Sequence, residues 1–63
     1  MDRRFILGKI GGYRSAAQQA EGRAAYCEQQ GDEMGALIWR AKADAWRVKA
    51  KKWQEKLDAL EWD

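Results

Sequence analysis

The stretch ALIWRAKADAWRVKAKKWQEKLDAL, residues 36–60, decides the fold. Within it Ala36, Trp39, Ala43, Trp46, Ala50, Trp53, Leu57 and Leu60 step alternately by three and four. That spacing is one face of an α-helix written as a seven-residue repeat, the signature of a coiled-coil seam. Three tryptophans hold one repeat position and small alanines hold the other. A tryptophan carries about 150–250 Å² of buriable surface, so a row of three predicts a partner along this seam.

The partner lies earlier in the chain. Tyr13, Ala17, Ala20, Ala24 and Cys27 step by four and three, and this row is almost entirely small. Small residues let a second helix approach closely, with the large indoles filling the space opposite. Ser15-Ala16-Ala17-Gln18 fits a capping box and predicts a first helix over about 13–30. Gln30-Gly31-Asp32 reads as a C-terminal glycine followed by an N-cap, with Glu33 well placed at a helix N-terminus. The second helix is therefore expected over about 33–61. A two- or three-residue connection forces the helices to run antiparallel. The fold class is thus all-α, an antiparallel helical hairpin in a single domain spanning 1–63.

Residues 1–12 are expected to form an apolar arm. Phe5, Ile6, Leu7 and Ile10 are too greasy to leave in water, while Gly11-Gly12 costs a helix about 1 kcal/mol per glycine and predicts a break. Ile6 and Ile10 nevertheless stay in register with the next helix, which leaves a continuous, kinked helix open. If the break holds, the first helix is about 27 Å long and the second about 43 Å. The second would then overhang the first at Trp53, Leu57 and Leu60.

Length and composition restrict the means of stabilisation. A chain of 63 residues is marginal as a lone monomer. With one cysteine and no histidine, neither a disulfide nor an ordinary zinc site is expected. Cys27 falls on the alanine row and reads as a small buried apolar residue. No proline, many alanines and 35% charged residues read as helix. The longest apolar runs are too short for a membrane span or an export signal, and a free cysteine suits a reducing compartment, so a cytoplasmic location is expected.

Net charge is +2, but it is laid down in blocks of +3 (residues 1–14), −3 (15–35), +5 (40–56) and −3 (57–63). The acidic first helix would then lie beside the basic second one.

The second helix carries another stripe. Met34, Ile38, Ala41, Ala45 and Val48 lie about 140–150° around from the tryptophan row at ~100° per residue. A helix apolar on two separate stripes is packed on two sides. Either the arm folds back onto this stripe, giving a three-element monomer, or two hairpins pair through it as a homodimeric four-helix bundle. The dimer is the expected arrangement, with a foreign protein as the third choice.

Ala24 to Asp32, followed by Ala36 and Ala43, resembles the turn region of a tetratricopeptide helix pair over about 20 residues. Arg23 and Ala24 depart from that pattern, and the chain holds no second copy, where such repeats stack in threes. In outline the chain also looks like the repressor-of-primer hairpin, which dimerises into a four-helix bundle; that is a likeness of shape, with no shared motif.

Enzymatic groups are absent from the sequence. Ser15 is the sole serine or threonine, no histidine could activate it, and Asp44, Glu55 and Asp58 alternate with lysine and arginine as on a solvated helix face. No glycine-rich strand–loop–helix could cradle a phosphate. No enzyme, cofactor or metal is expected.

The first functional expectation is a protein-binding module acting as a regulator, inhibitor or adaptor, of the sort common among phage and mobile-element proteins. Its contact residues would be Tyr26, Met34, Ile38, Arg40, Val48 and Trp62, rich in the types that dominate binding hot spots. The alternative is nucleic-acid binding through Arg40, Lys42, Arg47, Lys49, Lys51, Lys52 and Lys56. Against it, these cations flank the tryptophan row on both sides, as solubilising residues beside a core seam do. A membrane-surface role is disfavoured, because the alanine helix already covers the indole face.

Overall fold

The computed structural model describes residues 2–62, apart from the side chain of Trp62, which leaves Trp62 as a contact residue outside the described residues. Two helices, α1 (Arg3–Gln29) and α2 (Glu33–Trp62), pack along their lengths as an antiparallel hairpin. The hairpin is a slab of 50 × 14 × 12 Å.

The turn is built as the sequence predicts. The N–H of Gly31 donates to Glu28 O at 3.0 Å and that of Asp32 to Cys27 O at 2.8 Å, the paired bonds of a Schellman motif. Gly31 has φ +75°, the left-handed conformation in which a side chain is strained. Asp32 then caps α2, its Oδ1 accepting from the N–H of Gly35 at 2.9 Å. The helix therefore starts at Glu33 despite the glycine in its first turn. A Cβ on Gly35 would stand 2.3 Å from Asp32 Oδ2 and 3.0 Å from Cys27 Sγ, so the glycine makes room for the cap.

At the other end the expectation is corrected. Residues 3–12 are not a separate arm but the first turns of α1, which runs unbroken through Gly11-Gly12. Its N-cap is Asp2, whose Oδ1 accepts from Arg4 N–H at 3.2 Å, and Ser15 sits exposed within the helix. The magnitudes say why. Two glycines cost about 2 kcal/mol together, whereas burying Ile6 and Ile10 returns about 1.5–3 kcal/mol each. Both isoleucines are buried in one cluster with Leu57, against half-buried Trp53. With α1 at 27 residues and α2 at 30, the expected overhang of α2 disappears. The arm is thereby also unavailable to the second stripe.

The seam differs from the expectation in a second respect. The residues that vanish from solvent are Ala17, Ala20 and Ala24 from α1 and Ala36, Ala43 and Ala50 from α2. Alanine rows on both helices form the closed centre. Trp39, Trp46 and Trp53 are only half-buried, as are Tyr13 and Cys27. Methyl groups from the two helices close the centre of the seam, and the indoles are left half-buried at its flank.

The glycines of α1 behave oppositely to Gly35. Nothing lies within 4 Å of a Cβ placed on Gly8, Gly11, Gly12 or Gly22. Gly22→Ala is therefore expected to raise stability by up to about 1 kcal/mol, the helix-propensity difference. Gly35→Ala is expected to show no such gain, because the cap must move. Thermal midpoints of the two variants, followed by circular dichroism, test this pairing.

Candidate interaction surfaces

Docking α1 against α2 sorts the charges onto two different edges. In the seven-residue frame of the seam, Arg40, Arg47, Gln54 and Glu61 follow the Ala36–Ala43–Ala50–Leu57 row by four positions. They meet α1 as a ladder: Arg40 pairs with Glu28, Arg47 with Glu21, Arg14 donates to Gln54 at 3.5 Å, and Arg3 meets Glu61 at 3.0 Å. Arg47 also reaches Asp44 at 3.3 Å. These pairs are about half exposed, so they fix register and neutralise charge more than they stabilise.

The opposite edge has cations and rings but no carboxylate in its repeat positions between Phe5 and Leu60. Lys42, Lys49 and Lys56 each sit three residues after a tryptophan, which places every ammonium over an indole: 4.4 Å over Trp39, 5.0 Å over Trp46 and 4.3 Å over Trp53. From α1, Arg23 stands 5.0 Å over Trp39, Tyr13 stacks on Trp46 at 5.6 Å, and Phe5 meets Trp53 edge-on at 5.8 Å with Lys9 above it. Such cation–π contacts contribute about 0.5–1 kcal/mol when exposed, and the lysine stems shield the rings from water.

The seven cations proposed from sequence are therefore not one surface. Arg40 and Arg47 belong to the neutralised ladder. Lys42, Lys49 and Lys56 belong to the aromatic edge. Lys51 and Lys52 are exposed and make no ion pair among the described residues. Sequence reading missed Arg23, Phe5 and Tyr13 as members of the aromatic edge; their positions on the repeat of α1 could have placed them there once the antiparallel register was fixed.

The outer face of α2 is the third surface. Met34 is 69% exposed, Ile38 53% and Val48 53%. Tyr26 is exposed too, but it belongs to α1 and not to this face. Leu37, which periodicity does not place on this stripe, is 59% exposed beside it. Nothing in the hairpin covers these side chains.

Among the described residues no group of three or more His, Cys, Asp or Glu could hold a metal ion, and no helix is long and apolar enough to cross a membrane. No protein-family model, curated protein or solved structure matches the chain.

Proposed function

We propose that this chain is a non-enzymatic docking module that works by binding protein through the outer face of α2. The observation that carries the reading is the stripe Met34–Ile38–Val48, which stays more than half exposed, with Leu37 exposed beside it. Over 14 positions it runs about 21 Å along the helix. Exposed apolar surface of that extent marks an interaction site. The first occupant is a second copy, two hairpins making a four-helix bundle; Arg40, on the ladder edge, and Tyr26, on α1, lie off this face. A regulator, inhibitor or adaptor would use the same face for a foreign protein.

Sedimentation equilibrium tests the reading at micromolar to hundred-micromolar protein. The wild type is expected to dimerise. Ile38→Asp and Val48→Asp are each expected to shift it to monomer by placing a charge in the interface, with helicity retained because both sites are exposed in the hairpin. Sedimentation and partner capture that are unchanged in both variants would reject the reading.

A further inference from the structure

We infer that the lysine–tryptophan edge is a binding groove for single-stranded nucleic acid. The inference is independent of the docking stripe and stands on charge segregation, ring geometry and two concavities.

Charge segregation comes first. The ladder edge pairs its arginines with Glu21, Glu28 and Asp44, whereas Lys9, Arg23, Lys42, Lys49 and Lys56 share an edge on which none of them makes an ion pair among the described residues. Three of these cations, Lys42, Lys49 and Lys56, repeat every seven residues or about 10 Å along α2, with Lys9 and Arg23 on the same aromatic row from α1, an arrangement that suits a flexible polyanion following a groove.

Between the cations lie flat aromatic walls. One concavity of about 360 Å³ is lined by Trp39, Lys42, Ala45, Trp46 and Lys49. A second of about 360 Å³, on the α1 side of the same indole, is lined by Gly8, Lys9, Gly12, Tyr13, Ala16 and Trp46. Gly8 and Gly12 leave that second floor open, with nothing within 4 Å where a Cβ would stand. Each concavity therefore pairs an indole wall with an ammonium and contains no carboxylate. An unstacked base supplies the flat face for the wall, and its phosphate draws the lysine off the ring.

Other polyanions fit less well. A duplex keeps its base faces stacked and out of reach of the indoles. An anionic bilayer needs apolar tips that project, whereas these rings lie half-buried under ammonium groups. An acidic peptide would answer the charges but leave the ring slots empty.

The test uses the full chain and fluorescein-labelled 15-nucleotide oligo-dT and oligo-U, followed by anisotropy and by tryptophan emission. Binding at 50 mM salt with quenched tryptophan emission is expected. Affinity should fall about a hundredfold by 200 mM for five phosphates engaged at a slope near −0.7 per phosphate. The variant Lys42→Gln/Lys49→Gln/Lys56→Gln should bind at least tenfold more weakly with a shallower salt slope. Arg4→Gln/Arg14→Gln/Lys51→Gln, which removes the same charge elsewhere, should bind within about twofold of wild type. Equal loss in both variants would reduce the effect to net charge and overturn the inference. So would absence of oligonucleotide binding at 50 mM salt, duplex bound as tightly as single strand, or binding to phosphatidylglycerol vesicles alone. Circular dichroism of both variants establishes that each remains folded.

Discussion

Ile6→Ala is expected to lower the stability of the hairpin by about 2–5 kcal/mol. Ile6 is 1% exposed and is the largest fully buried side chain in the hairpin. Truncating such a residue costs about 2–5 kcal/mol, from lost transfer energy and the cavity left between Ile10 and Leu57. A chain of 63 residues has about 3–9 kcal/mol in total at the usual 0.05–0.15 per residue. One substitution thus removes from about a fifth to the whole of the margin. The neighbour supplies the control: Leu7 is 46% exposed, and Leu7→Ala should cost less than about 0.5 kcal/mol. Urea titrations monitored at 222 nm read both. If Ile6→Ala behaves like Leu7→Ala, residues 3–12 are not docked on α2.

The second large effect concerns the alanine seam. Ala43 is 1% exposed, at the centre of the close approach. Leucine there must push the helices apart along the whole row, because Ala36 and Ala50 are held to the same spacing. Overpacking of this kind costs about 1–3 kcal/mol, and here it also pulls Arg40 and Arg47 away from Glu28 and Glu21. Ala59→Leu, outside the Met34–Val48 stripe, should change stability by no more than about 0.5 kcal/mol, since Ala59 is exposed. The same chemical change at two sites on one helix therefore separates a packing cost from a propensity effect. Equal midpoints for the two variants would mean that the helices are not in alanine-limited contact.

These two sites mark where sequence reading works and where it stops. The seam of α2 is legible because a seven-residue repeat survives any local preference. The turn is legible because Gly31 and Asp32 are chemically constrained: one needs a left-handed backbone, the other a carboxylate three residues ahead of a free N–H. The start of α1 is not legible from local signals. Gly11-Gly12 argues for a break, and only the meeting of Ile6 with Leu57, far away in the chain, outweighs it. The depth of the indoles is likewise a property of helix separation, which the alanines set and the spacing of tryptophans does not.

The interaction surfaces are partly legible for the same reason. Exposure of Tyr26, Met34, Ile38 and Val48 follows from their angle on the helix. The sorting of cations does not, because on α2 alone Arg47 and Lys49 look equivalent beside Trp46. Only the register of α1 assigns Glu21 to one and Tyr13 to the other.

Side-chain bulk in the seam is graded along the slab. Near the turn the closure is made by methyl groups such as Ala24 and Ala43, 19 positions apart; at the far end it is made by Ile6 and Leu57, 51 positions apart. Chain entropy resists the distant pairing more, by about 0.9 kcal/mol on a logarithmic loop law. The heaviest hydrocarbon is thus stationed where the chain most wants to part. The open end of the hairpin is consequently fastened by its bulkiest buried side chains, like a latch at the mouth of the fold.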